Sequence, residues 1–351
     1  MSPAALQGPC VWHGAELAQD DSWVWRWSQA EIAEIETALA AVRKAGLAWH
    51  QMERESFPIK RVAARLAQVG SELEDGKGLI RLVGLPIDKY TADELKIIWY
   101  GLTSHLGSPV YQDCQGQLMR EIRDEGGDLG ARHGRLSSGG KDFLSSKART
   151  YSAGALRFHT DRCDVVGLLA VGQAPSGGVS KVASSAAVHN AMLEQRPDLL
   201  ELLYRPIPRS RLGEEQGGDE VVYELPVFGQ RDGKLTSHYS RTYIEAAQLL
   251  ADSPALTAVQ WQALDLLAAT AEELCFEMHL APGDIQLLNN HAVYHARSAF
   301  EDDPARGRRR LLYRVWLAMP NSRALPEDHA VLWGDTRAGA RRGGIGQEPL
   351  M

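Results

Sequence analysis

The chain has 351 residues, 44% hydrophobic and 24% charged, with a formal charge of 38 − 45 = −7. This is a globular composition with material for about one large or two ordinary domains. The acidic balance, with no long Lys/Arg tract outside a short C-terminal patch, argues against nucleic acid as a partner. No run approaches the ~18 apolar residues that a membrane span needs.

Cys10, Cys114, Cys163 and Cys275 lie far apart without a CxxC pairing, which predicts reduced thiols in a cytoplasmic protein. The opening "MSPAALQGPCVWHGAEL" lacks a basic region followed by an apolar one, so no signal peptide is expected.

Residues 29–45 carry apolar positions at helical spacing after Ser28, a suitable N-cap, and a second helix is predicted over 59–73. Together they make an N-terminal helical extension, 1–77. "GLIRLVGLPI" (78–87) reads as a buried strand closed by Pro86. Thr91 and Glu94 form a capping-box pattern that opens a helix ending at Gly107. Residues 124–156 are rich in Gly, Ser and charge and hold no period. A structureless stretch of this length reads as a lid-like insertion.

"RFHTDRCDVV" (157–166) then leads into an apolar run. One strand beginning there would aim His159 and Asp161 the same way, because strand side chains alternate. "SGGVSKVASS" predicts a tight turn into another strand. A helical insertion spans 186–273, interrupted near Pro197, with a hairpin turning at Asp232-Gly233. Short strands follow in "CFEMHL", "GDIQLLNN" and "RRLLYRVWLA", and a polar, irregular tail covers 321–351. Many short strands with grouped helices predict a sandwich or barrel core carrying helices, not a βαβ repeat.

On the last strand Arg310, Leu312, Arg314 and Trp316 share a face. Two arginines beside an apolar face need anionic partners. His291 and His295 both follow the Asn289-Asn290 pair, and either could join His159 and Asp161. His189, His238 and His279 sit among apolar or hairpin residues and read as structural. Arg162 and Asp164 either orient neighbours or pair with each other.

In this order the segments resemble the iron(II)- and 2-oxoglutarate-dependent oxygenases of the taurine dioxygenase superfamily, which includes clavaminate synthase-like enzymes. His159-Thr160-Asp161 matches the family's His-x-Asp, and His295 its distal His, 136 residues on. Arg310 follows 15 residues later, Gly283-Asp284 and Asn289-Asn290 match the approach to the distal His, and Gly177-Gly178-Val179-Ser180 matches a Gly-Gly-x-Thr/Ser element. The resemblance covers about residues 78 to 318.

It implies an α+β fold with a double-stranded β-helix (jelly-roll) core over 78–320, flanked by helices. It implies Fe(II), 2-oxoglutarate and O2 as cofactors, with His159, Asp161 and His295 as metal ligands and catalytic centre. Two imidazoles and one carboxylate leave three positions open on an octahedral iron. Arg310 is then expected at the C5 carboxylate of 2-oxoglutarate, since a guanidinium fork matches a carboxylate in two-point geometry. Ser180 is expected beside it, and Arg314 at 2-oxoglutarate or at a substrate anion. Arg162 and Arg241 are further substrate candidates. Register after the Asn pair favours His295 over His291.

The implied reaction releases succinate and CO2 and hydroxylates or desaturates an aliphatic C–H of a small, polar, anionic substrate such as an amino acid. Related halogenases have a small residue where Asp161 stands, so the carboxylate points to hydroxylation. The competing readings are a zinc-dependent protein or a non-catalytic one on the same fold. No HExxH, GxSxG or P-loop is present. The expected partner is a small molecule, without nucleic acid or membrane. Whether the chain forms a homo-oligomer is left open.

Overall fold

A computed structural model describes residues 3–138, 141–212, 214 and 220–346. Near the start, the Ser28 hydroxyl accepts from the Glu31 N–H and the Glu31 carboxylate accepts from the Ser28 N–H, opening helix Gln29–Ala45. Gly46, at φ 68°, closes it in the left-handed region that favours glycine. Helices Arg61–Asp75 and Ala92–Leu106 pack with it, and the latter starts at the Thr91–Glu94 capping box.

These helices cover one face of a seven-stranded sheet. Its order is Val24–Arg26, Leu79–Val83, Ile285–Asn289, Val165–Gly172, Leu311–Ala318, Ser108–Val110, with Met119–Ile122 also paired to Leu311–Ala318. Only the Val24–Arg26 pairing is parallel within that sheet. Strand alternation sorts its side chains. Ile80, Leu82, Leu169, Ile285, Leu287, Tyr313 and Val315 meet the helices, whereas Leu79, Val166, Leu288, Leu312 and Trp316 turn to the opposite face.

A four-stranded sheet contributes to that opposite core through Val182, Val293 and Met278; its order is Phe276–Met278, Ser180–Ser184, Val293–Arg297, Leu156–His159. Its outer side chains, among them Phe158, Ala183, Tyr294 and Ala296, are covered by helices Ser185–Gln195, Pro197–Leu202 and Ala258–Leu274. The chain is therefore a mixed α+β fold around a large sheet, with the smaller sheet packed through apolar side chains on the face that the N-terminal helices leave free. No helix is long and apolar enough to cross a membrane among the described residues.

Three local expectations change. His159 ends the strand Leu156–His159 of the smaller sheet, and the next strand, Val165–Gly172, belongs to the larger one. His159 and Asp161 are thus not on one strand; the chain crosses between sheets there. Residues 124–156 contain helices Leu129–His133 and Ser146–Thr150 and a hairpin of Arg135–Ser138 with Lys141–Leu144. Each piece is too short to display a period. The 186–273 segment holds one hairpin that was not expected, Ile207–Ser210 with Val222–Leu225, besides the expected one, Phe228–Arg231 with Lys234–Ser237. The latter turns at Asp232 (φ 52°) and Gly233 (φ 77°), the positive-φ pair of a tight hairpin.

Candidate metal and anion site

The antiparallel register sets His295 directly opposite His159, and their ring centroids are 4.2 Å apart. Asp161 arrives from the crossing between sheets. There its N–H donates to Asn290 Oδ1 at 2.9 Å, and the Thr160 N–H donates to the Tyr239 carbonyl at 2.8 Å. Its carboxylate lies 3.8 Å from His159 Nε2 through Oδ1 and 3.8 Å from His295 Nε2 through Oδ2. The three ligand-type atoms fall within 4.8 Å of one another.

The surroundings prepare these groups for a cation. Burial alone would push the Asp161 carboxyl up, but Arg314, His295, His159 and the Trp316 N–H together hold it below the usual carboxylate range. Trp316 Nε1 donates to Oδ2 at 2.9 Å, and Arg314 Nη1 lies 3.5 Å from the same oxygen. Burial, the neighbouring His159 and Arg314 depress His295 to about 3 against the pull of Asp161, so its imidazole is neutral. His159 Nδ1 is 2.8 Å from the Arg157 carbonyl, which makes Nδ1 the protonated nitrogen and leaves the Nε2 lone pair toward Asp161. Two imidazole nitrogens and a carboxylate on one side of a cavity fit a six-coordinate divalent iron. A second cluster, Glu272, Cys275 and Glu277, is different: Lys181 is bonded to both carboxylates.

Beside the histidines runs a pocket lined by Ser180, Gln286, Arg297, Arg310, Leu168 and Leu312, among others. Gly178, at φ 68°, admits the Arg310 side chain, since a Cβ there would stand 3.1 Å from Arg310 Cδ. Arg310 Nη1 is buried without a hydrogen-bond partner. Burial, with Arg297 adding to it and Asp302 opposing, pushes the Arg310 guanidinium down to about 9. The Ser180 hydroxyl donates to Gln286 Oε1 at 3.0 Å. A buried, acceptor-poor cation next to the three candidate ligands suits an anionic cosubstrate such as 2-oxoglutarate.

The other residues singled out in the sequence divide clearly. Arg314 donates to Gln112 Oε1 at 2.7 Å, stacks 4.9 Å from the Trp316 ring and faces Asp161. Arg162 has a buried Nε with no partner, and its charge acts on Glu214. Arg241 is held by Glu245 and Asp265 and lies over the Trp261 ring. His291 stands apart from the cluster, fully buried between Asp164 (2.9 Å) and Thr236 (2.7 Å). Asp164 does not pair with Arg162. It takes His291, the Met319 N–H and Arg342 of the C-terminal tail, the last at 2.8 Å.

Sequence reasoning missed Gln112, Gln286, Arg297, Glu214 and Arg342 as parts of this neighbourhood. Trp316 was legible, because it shares a strand face with Arg314. Arg297 carried a signal as well, standing two residues beyond His295 and so on the same side of its strand.

A family model described as "Taurine catabolism dioxygenase TauD, TfdA family" matches residues 45–316. The chain belongs to this family. It is a 2-oxoglutarate-dependent dioxygenase that uses Fe(II) and O2. Over 327 residues it is 30% identical to the FR-33289 synthase of Streptomyces rubellomurinus, covering 92% of each chain. Its fold is similar to that of an asparagine oxygenase in complex with Fe(II), 2S,3S-3-hydroxyasparagine and succinate, with a TM-score of 0.59, 18% identity, and 93% of this chain and 100% of that one covered. It is also similar to the non-heme iron oxygenase OrfP in complex with Fe and alpha-ketoglutaric acid, with a TM-score of 0.61, 15% identity, and 84% and 93% covered.

Proposed function

We propose that this dioxygenase holds Fe(II) through His159, Asp161 and His295, takes 2-oxoglutarate against Arg310 and Ser180 with Arg314 alongside, and hydroxylates an aliphatic C–H bond of a small, anion-bearing substrate of the amino-acid type. The observation that carries this reading is the His159–His295 cross-strand pair with the Asp161 carboxylate 3.8 Å from each ring. Bound iron, with 2-oxoglutarate and O2, supplies the oxidising power, coupling release of succinate and CO2 to oxidation of the substrate.

The chain's own groups do the positioning. The Arg157 carbonyl fixes the tautomer of His159, and Trp316 and Arg314 keep Asp161 charged and oriented. Arg310, fed through the space that Gly178 leaves, offers N–H donors to a carboxylate. Apolar Leu168 and Leu312 keep water from the pocket.

The substrate class is supported by two features. The Arg314 guanidinium stands 3.5 Å from the Asp161 carboxylate in the pocket that His295 lines, and the similar solved enzymes are described with 3-hydroxyasparagine and with L-Arg and its hydroxylated forms. The two facing sheets are read as a double-stranded β-helix, the 124–156 segment as a lid, and the four free cysteines as fitting a reducing, cytoplasmic setting.

The test is an anaerobic titration followed by a screen. Fe(II) plus 2-oxoglutarate should produce a weak visible charge-transfer band that His295→Ala abolishes. An amino-acid library should then give substrate-dependent succinate release, with a product 16 Da heavier by mass. Absence of the band would leave the zinc or non-catalytic reading, and a neutral aromatic as best substrate would overturn the substrate class alone.

A further inference from the structure

A third guanidinium, that of Arg297, lines the same pocket as Arg310 and Arg314. Arg297 is 5% exposed, and like Arg310 it lines the cavity beside His295. Its Nη2 donates to the carbonyl of Ser152 at 2.7 Å and also to that of Gly154. Its face lies 4.8 Å from the Phe300 ring centroid, and Arg310 lies 5.4 Å from the same centroid. Nε and Nη1, which carry three of the five guanidinium N–H donors, are buried without an acceptor. No carboxylate forms an ion pair with Arg297 or Arg310 among the described residues. Burial, only partly offset by the more distant Asp124, pushes the Arg297 guanidinium down to about 10.

Two buried cations side by side, each short of acceptors, are a costly arrangement unless an anion completes it. One carboxylate offers about four lone-pair sites on two oxygens, enough for donors from both arginines and a hydroxyl. Ser152, Gly154 and Phe300 meanwhile restrain the Arg297 head, so little side-chain freedom remains to be lost on binding.

We infer that Arg297 is a second anchor for the distal carboxylate of 2-oxoglutarate, acting with Arg310, and that this pair sets the preference for a dicarboxylic over a monocarboxylic 2-oxo acid. This rests on the assignment of Arg310 to 2-oxoglutarate made above. Arg297 belongs to the strand that carries His295, so the cosubstrate anchor and a candidate metal ligand are fixed by one backbone segment.

The experiment is calorimetric binding to the full chain loaded with Mn(II) in place of iron, without oxygen or turnover. The ligands are 2-oxoglutarate and pyruvate, which shares the 2-oxo acid end and lacks the distal carboxylate. Arg297→Met should raise the Kd for 2-oxoglutarate about 10- to 100-fold and leave that for pyruvate within about two-fold. Arg297→Lys, which keeps the charge and loses the fork, should fall between wild type and Met. An unchanged 2-oxoglutarate Kd, or equal weakening of both ligands, overturns the inference. Should Arg297→Met fail to fold, the Lys variant decides by the same ratio. Arg310→Met in parallel separates the two claims. If it also spares 2-oxoglutarate, the pocket assignment itself falls; if it weakens 2-oxoglutarate while the Arg297 variants do not, only the inference falls.

Discussion

Trp316→Phe removes the indole N–H and its hydrogen bond from the site while keeping a smaller aromatic ring in a buried position. The indole N–H donates to Asp161 Oδ2 at 2.9 Å, and the rest of the ring supports the Arg314 guanidinium at 4.9 Å. A hydrogen bond to a charged acceptor contributes about 1.5–3 kcal/mol, which converts to about 10- to 150-fold in affinity. Replacing partners that orient metal ligands typically costs about 10- to 100-fold, a range reached independently. Mn(II) titration followed by calorimetry should therefore show a Kd raised by about one to two orders of magnitude. The urea midpoint should also fall, because the same bond stabilises the buried carboxylate in the metal-free fold and the smaller ring leaves a gap. Metal affinity within two-fold of wild type, in a variant that is folded, would refute the claim that the indole orients Asp161.

The two neighbouring histidines should separate cleanly. His295→Ala is expected to abolish Mn(II) binding with a small change in stability, whereas His291→Ala should destabilise the fold by about 2–4 kcal/mol in urea unfolding, since it strands Asp164 and Thr236 in the interior. Burial holds His291 at about 4, below the ordinary value of about 6.5. A depressed folded-state value means that the unfolded chain takes up the proton first, so the contribution is whole above pH 6.5 and is lost as pH falls toward 4. Unfolding free energy measured across that window should decline, and His291→Gln should flatten the slope; an equal slope in the variant would count against it. Arg314→Ala should raise the KM for the prime substrate at least as much as that for 2-oxoglutarate, and a selective rise for 2-oxoglutarate would assign this arginine to the cosubstrate instead. Limited proteolysis within 124–156 should slow when Mn(II), 2-oxoglutarate and substrate are all present, and an unchanged rate would remove the lid.

The elements that announced themselves in the sequence were those with local causes. The Ser28 and Thr91 capping boxes open helices because the bonds lie within four residues, and Asp232-Gly233 turns a hairpin because both residues accept positive φ. The motif residues were legible by type and order. What brings them together was less so, since a strand break between His159 and Asp161 leaves no mark in an apolar pattern. Gln112 and Arg314 meet across 202 positions and Arg342 meets Asp164 across 178, contacts that no window of neighbouring residues contains. Arg297 was overlooked for another reason: a lone arginine on a strand ordinarily faces solvent, and its place two residues beyond His295 gains meaning once Ser152, Gly154 and Phe300 are seen packed around it.

The tie between Arg342 and Asp164 also bears on how the protein is made. Synthesis runs at about 5–20 residues per second, so roughly 10–35 s separate the emergence of the two partners from the ribosome's catalytic centre. His291 comes 127 positions after Asp164, and Met319, whose N–H also reaches it, later still. Until His291 is made, Asp164 has none of the side-chain partners that hold it in the finished molecule, and the set is complete only with Arg342. The crossing that carries Asp161 thus depends for its full set of contacts on residues made long after it.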